Sequence, residues 1–245
     1  MNDVHQLLLS HRSIRKFTDE PVDDETVALI VRCGMAAATS SNIEATTVIR
    51  VRNRETRQKI AEVAGGQQHI VDCGAFLVFC ADVKRPNLAC TMQGVSPTPG
   101  MTEQFIIATV DVALAAQNAV IAAESLGLGI CYIGAVRNDP QTVSDLLELP
   151  DHVYPVFGLC IGRPAQDPDV KPRLPLEVVL KEERYDDSGD EAGIKDYDES
   201  MRQYYRSRTG GTKDSCWSEE MAQLVGKERR PHMRKFLADR GFELR

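Results

Sequence analysis

The stretch His11-Arg12-Ser13-Ile14-Arg15 sets three potential cations and a hydroxyl within five residues, just after an apolar helical segment that ends at Ser10. Such a group can hold an anion by charge-assisted hydrogen bonds. A second basic element, Lys171-Pro172-Arg173, lies far downstream. Two short basic elements remote in sequence point to one phosphate gripped from both sides. Alone, the first is equally a solvated basic turn and the second a surface loop stiffened by prolines.

The wider chain limits what the anion can be. It has 245 residues, 42% hydrophobic and 27% charged, enough for one large domain or one domain with a tail. The net charge of -7 argues against general nucleic-acid binding, which needs a broad basic surface. The N-terminus, MNDVHQLLLSHRS, is too short and polar for a signal peptide. The run Phe105 to Leu128 is long enough to span a membrane, but Asp111, Gln117, Asn118 and Glu124 interrupt it. It reads as a buried helix of a soluble protein that a second subunit helps to cover. Seven cysteines without a C-x-x-C pair read as free thiols in a reducing cytoplasm.

Periodicity and turn residues outline an α and β core over residues 1–165, followed by an extended C-terminal region over 166–245. Helices are expected at Asp3 to Ser10, after Asp23-Asp24-Glu25, at Arg54 to Ala64 and over the long apolar run. Asp139-Pro140 opens another. Strands are expected at Thr46 to Val51, Phe76 to Ala81, Ile130 to Ile133 and Val156 to Ile161. Residues 82–102, rich in Pro and Gly, read as a loop with little structure. Tail helices are expected near Asp196 to Arg206, Ser218 to Val225 and Pro231 to Asp239.

Several chemistries lack their minimum sequence. The nearest dinucleotide fingerprint starts at Gly127, fails at its third glycine and follows a helix. There is no G-x-S-x-G, no P-loop and no metal-ligand spacing among the five histidines. What remains fits a flavin mononucleotide, FMN. His11, Ser13, Lys171 and Arg173 suit its phosphate, and Arg15 the N1/O2 edge. Gln67, after Gly65-Gly66, offers an amide to the ring edge, and Tyr132-Ile133-Gly134-Ala135 offers backbone N–H groups. Each has a plainer reading: Gln67 as a helix-end polar residue, Ser40-Ser41 as a helix-terminal polar cluster, Tyr132 as a half-buried strand aromatic. Arg206, Arg208 and Lys213 put cations in a Gly- and Thr-rich loop, suited to a 2′-phosphate or simply solvated.

HRSIRKFTDEP, the Ala37 to Ser41 run, AGGQQH, FLVFCAD, AAQNAVIAAESLGLG, CYIG, VKPRLP, SRTGGTK and ERRPHM occur in this order. Together they resemble the oxygen-insensitive NADPH nitroreductases and NADPH–FMN oxidoreductases over nearly the whole chain. The resemblance implies an α+β, nitroreductase-like fold: a central, mostly antiparallel sheet flanked by helices, with an extended C-terminal arm. It implies a homodimer with FMN at the subunit interface and arms wrapped around the partner. Carried over residue by residue, His11, Arg12, Ser13, Arg15, Gln67, Tyr132, Ile133, Gly134, Lys171 and Arg173 become FMN contacts. Ser40 and Ser41 line the flavin pocket, and Arg208 meets the NADPH phosphate; from its place in the basic loop, Lys213 is expected to be a weaker helper. The implied activity is two-electron transfer from NADPH through FMN N5 to nitroaromatics, quinones or flavins, by a ping-pong mechanism. A flavin reductase supplying reduced FMN is the near alternative; a flavin-binding protein without turnover is the distant one. No membrane, nucleic acid or metal is expected. Ala135 stands where the family usually has a second glycine, and Asn42 where an apolar residue is common. The 86–100 loop also matches poorly.

Overall fold

The computed structural model describes residues 1–245, in two compact units: Met1–Asp167 with Arg230–Arg245, and Pro168–Arg229. The first unit begins with helix α1 (Asp3–Leu9), whose Asn2 and His5 form a reciprocal cap. Helix α2 (Asp24–Met35) starts where Asp23 accepts the Thr26 N–H at 2.7 Å. Strand β1 (Thr46–Arg50) precedes helix α3 (Arg54–Val63), which is capped by Asn53. A left-handed pair, Gly65 and Gly66 at φ 80° and 79°, turns the chain into the short helix α4 (His69–Asp72). Strand β2 (Ala75–Asp82), helix α5 (Lys84–Met92), the long helix α6 (Thr102–Ser125) and strand β3 (Gly129–Ile133) follow. Helix α7 (Pro140–Leu146) and strand β4 (Val153–Gly162) complete the run.

The four strands order as β1-β2-β4-β3, and every neighbouring pair is antiparallel. Strand β2 is buried along its whole length, and alternate residues serve two cores. Leu77 and Phe79 face a layer made by α2 and α6. Phe76, Val78 and Cys80 face a layer made by α3, α4 and α7. Each fully buried Phe, Leu or Ile contributes about 1.5–3 kcal/mol, so β2 is the spine of the unit. Helices α2 and α6 meet closely because Gly34 has no Cβ: one built there would lie 2.9 Å from the Ala115 carbonyl oxygen.

By length and composition α6 could cross a membrane, but here it packs on α2 and the sheet, with Ala108, Val112, Ala116, Ala119 and Val120 buried. Its opposite side leaves Ile106, Val110 and Leu114 48%, 50% and 44% exposed, one helical turn apart.

Residues 82–102 correct the sequence expectation of a structureless loop, since Lys84–Met92 is the helix α5. Pro86 sits in its first turn, where no intrahelical N–H bond is lost. None of its residues is buried, so no apolar stripe marks it in the sequence. Helix α6 begins a turn earlier than expected and ends before the left-handed Gly127.

The second unit holds the short helix α8 (Leu176–Val179), then α9 (Asp190–Arg208) and α10 (Trp217–Val225). Its small core joins Tyr197, Met201 and Tyr205, with Trp217 packed against it. Helix α9 starts earlier than expected, within the acidic stretch, where Asp190 and Glu191 complement the helix dipole. Helix α11 (Met233–Asp239) belongs to the first unit again. Phe242 closes on Tyr154 and Phe105 at ring distances of 5.0 and 6.4 Å, and Arg240 donates to the Pro150 carbonyl at 2.8 Å.

Candidate functional site

Residues 13 and 14 run beside the free edge of β3. Ser13 forms a parallel bridge to Ile130, and the Ile14 N–H donates to the Ile130 carbonyl at 2.8 Å. Ile14 is buried against Gly129, where a Cβ would lie 2.6 Å from Ile14 Cγ1. Its neighbours Ser13 and Arg15 are left towards the open side, half-buried and exposed. His11 Nδ1 meets Glu124 Oε1 of α6 at 2.7 Å. Arg12 pairs with Asp167 and donates to the Ser10 carbonyl at 3.1 Å. Both partners of that ion pair are accessible, so it is weak and Arg12 is readily recruited elsewhere.

Arg15 has neither an ion pair nor a hydrogen bond. Its charge reaches His69 and Cys131, lowering the pKa of each, though at Cys131 burial prevails and pushes the thiol up. His69 is held below its ordinary value first by burial and then by Arg15. His69 Nε2 is buried without a partner. Sequence reasoning gave His69 no role; its place in AGGQQH, two residues after Gln67, was the available signal.

Gln67 follows the two left-handed glycines and spends one amide N–H on the Ala64 carbonyl at 2.9 Å. Its oxygen and second N–H remain for a ligand. The 3-10 turn Gly134–Asn138 continues β3, and Asn138 donates to the Val63 carbonyl at 3.2 Å, tying that turn to the end of α3. Tyr132 packs edge-on to Phe157 at 5.0 Å, and burial followed by the Glu124 charge raises its pKa. Ala135 lies in the turn with negative φ, so a Cβ is tolerated where the resembling proteins usually have glycine.

Ser40 and Ser41 stand elsewhere on the unit. Their loop is held by Asp111 of α6: Ser40 N–H donates to Oδ1 at 3.1 Å and Ala45 N–H to Oδ2 at 3.2 Å. Ser41, Asn42 and Glu44 have φ of 48°, 56° and 50°, left-handed backbone that costs each about 1–2 kcal/mol. Asp111 and Glu124 are 13 residues apart on one helix, about 20 Å along its axis. One chain therefore gathers residues 11–15, Gln67 and 132–134, but leaves Ser40 and Ser41 apart from them.

In the second unit, Lys171 lies 5.4 Å from the Tyr205 ring centre, and Arg173 has no carboxylate partner. Its charge opposes the burial that raises the Tyr197 pKa. Arg208 donates to the Tyr204 hydroxyl at 3.0 Å and lies over its ring. Lys213 is paired with Glu220 at 2.9 Å, and Arg206 with Asp214 at 2.9 Å. Arg206 and Arg208 thus lie in the last turn of α9 and not in the Gly- and Thr-rich loop expected from the sequence, and Arg208 is the cation of the three that no carboxylate neutralises.

Residues 8–163 match the Nitroreductase family, and residues 171–245 match the Nitroreductase family, C-terminal domain. The chain belongs to the nitroreductase family. It is 41% identical to the oxygen-insensitive NADPH nitroreductase of Salmonella typhimurium, across 100% of both chains. It is 39% identical to the FMN reductase (NADPH) of Bacillus subtilis, across 99% of both. Among solved structures, NfrA1 of B. megaterium superposes with a TM-score of 0.95 at 43% identity, covering 98% of this chain and 99% of that one. The α+β fold with its antiparallel sheet is thus the nitroreductase fold, as the motifs led one to expect.

Proposed function

We propose that this nitroreductase-family chain is an FMN-dependent NADPH oxidoreductase that passes two electrons to nitroaromatic, quinone or flavin acceptors by alternating use of one site. The observation that carries the proposal is the unpaired Arg15 beside the orphaned His69 Nε2, near Gln67 and the end of β3. The donor set suits the cofactor. It has a cation without a counter-ion, an amide with spare groups, an unbonded Ser13 hydroxyl and the edge of a strand. The names of the relatives, an NADPH nitroreductase and an FMN reductase (NADPH), support the same reading.

In this reading His11, Arg12, Ser13, Lys171 and Arg173 hold the phosphate, while Gln67 and Tyr132-Ile133-Gly134 hold the ring edge. FMN held there would supply the two-electron chemistry between NADPH and the acceptor. Arg15 keeps an uncompensated positive charge where negative charge develops on reduction. Arg208 binds the 2′-phosphate of NADPH. The residue set needs no side chain as general base.

A homodimer completes the site. The separation of Ser40-Ser41 from residues 11–15 in one chain, and the exposed Ile106, Val110 and Leu114 face of α6, both support a second copy. Residues 1–165 act as the FMN-binding core and 166–245 as a C-terminal region of the same functional domain. Seven free cysteines and a net charge of -7 favour a cytoplasmic enzyme of small molecules over a nucleic-acid or membrane partner.

A flavin reductase that supplies reduced FMN to another enzyme remains a second reading, on the strength of the B. subtilis relative's name. Arg208, free of carboxylates, speaks against a flavin store, which needs no nicotinamide site. The test is the absorbance spectrum of the purified protein, expected yellow with about one FMN per chain. Arg173→Ala should weaken FMN binding by about 1.5–3 kcal/mol. A colourless protein with no affinity for added FMN would overturn the proposal.

A further inference from the structure

Asp111 is a buried carboxylate, 1% exposed, in the middle of the most apolar helix. A charge there is costly unless fully hydrogen-bonded. Its two oxygens accept from both ends of one loop, Ser40 and Ala45. Between those ends lie Ser41, Asn42 and Glu44, all left-handed. None is a glycine, so the loop holds this shape only under constraint.

Packing supplies only part of the constraint: Ala45 is buried in the core and Ile43 packs half-buried against it. A cavity of about 390 Å³ lies behind the loop, lined by Ala37, Thr39 and Glu44 together with Val31, Phe79 and Ala115. Ser40, Ser41 and Asn42 are exposed. The rest of the restraint on the exposed part of the loop is polar. Arg85 of α5 donates to the Glu44 carbonyl at 3.1 Å and the Thr46 carbonyl at 3.3 Å, and is itself set by Asp82 at 3.2 Å and Thr47 at 2.8 Å.

We infer that Asp111 is the positioning residue for the Ser40-Ser41 wall of the pocket, with Arg85 as its second tether. Asp111 touches neither FMN nor acceptor; it fixes the backbone that presents the two serines. The inference rests on the reading above that these serines line the flavin pocket.

Asp111→Asn separates the alternatives, because it keeps volume and shape. An asparagine oxygen can accept one loop N–H, but its NH2 then faces the other, which is left without an acceptor. Hydrogen exchange is read on the full-length protein, and FMN affinity by flavin fluorescence. In the wild type the Ser40 and Ala45 amides should be protected. In the variant at least one should exchange freely while the amides of α6 stay protected. FMN dissociation and the acceptor KM should each rise roughly tenfold, with kcat at saturation changed by less than about twofold. The NADPH/NADH preference should stay constant, and the retained protection of the α6 amides excludes a general loss of folding. Arg85→Gln, at an exposed side chain, should produce the same pattern more weakly and serves if Asp111→Asn does not fold. Loop amides as protected as in the wild type would overturn the inference. So would freely exchanging amides with unchanged FMN affinity and acceptor KM. A wild type that binds no FMN would instead overturn the proposed function, before any variant is made.

Discussion

His11 and Glu124, 113 positions apart in sequence, meet at 2.7 Å between Nδ1 and Oε1. The contact fastens the start of the basic segment to the last turn of α6. With Nδ1 engaged, only Nε2 is left to face a phosphate. The two side chains are 26% and 14% exposed, so the pair is better shielded than a surface ion pair. Glu124→Ala should lower the stability of the apoprotein by about 1–2 kcal/mol, and Glu124→Gln by less, since an amide oxygen still accepts. Urea midpoints of the two variants measure this. Equal midpoints for Ala and wild type would mean the contact adds nothing.

Arg15 offers a test through its neighbour. Because its charge lowers the His69 pKa, Arg15→Ala should raise that pKa toward the ordinary imidazole value. It should stay below that value, since burial is the larger cause. Ring-proton NMR titration reads the shift without any cofactor. In the enzyme assay the same variant should lose turnover by roughly tenfold or more, while the acceptor KM changes less. Double-reciprocal plots of the wild type at several acceptor concentrations should be parallel; intersecting lines would show a separate acceptor site.

Gly129 is required by the close approach of Ile14. Gly129→Ala places a Cβ against Ile14 Cγ1 and should cost about 1–3 kcal/mol. It should also weaken FMN binding, because Ser13 and Arg15 flank the displaced residue. Gly65 has nothing near its absent Cβ but a left-handed φ of 80°, so Gly65→Ala should cost only about 1 kcal/mol, from backbone strain. Thermal unfolding and FMN titration of both variants distinguish contact from conformation.

What the sequence made legible was whatever is local. Strand β2 is a continuous apolar run, and α2, α3 and α7 open with Asp23, Asn53 and Asp139, whose side chains cap within three residues. The basic segment and Gly65-Gly66-Gln67 could be read for the same reason. Helix α5 could not, since it buries no face. Nor could Asp111, which looks in sequence like a mere interruption of an apolar run; its donors are 71 and 66 residues away. Glu124 and His69 were hidden likewise, because their parts depend on neighbours brought together only by folding.

The cap of α7 sets a pH dependence. The Thr142 hydroxyl and then its amide hold the Asp139 carboxyl below its usual range. Such a group stabilises the fold above the unfolded-state pKa of about 4, and loses that contribution as pH falls through the folded value. Asp139→Ala should therefore cost about 1 kcal/mol at pH 7, a difference that shrinks below about pH 4. Urea unfolding at both pH values checks it; a constant difference would assign the loss to something other than the carboxylate.

Donor choice should rest on Arg208 more than on Lys213, because the structure gives the two different partners. Lys213 spends its charge on Glu220 at 2.9 Å and stands 3.9 Å from the Tyr205 ring centre. Arg208 has only the neutral Tyr204 hydroxyl and ring. A 2′-phosphate would compete with a carboxylate for Lys213 but not for Arg208. Arg208→Ala should raise the NADPH KM by roughly ten- to a hundredfold, equivalent to about 1.5–3 kcal/mol, with little change in saturated turnover. Lys213→Ala should change it by only about twofold or threefold, within the range of a surface ion pair. NADH kinetics should barely respond to either, since NADH lacks the 2′-phosphate. The NADPH preference should shrink as salt rises, because Arg208, at the end of α9, is exposed and its ion pair with the phosphate is screened. If Lys213→Ala proved the more damaging, Glu220 would have to yield to the ligand, and Glu220→Gln should then strengthen NADPH binding. If neither variant moved the NADPH/NADH ratio, the loop would be a solvated feature and the donor would bind elsewhere.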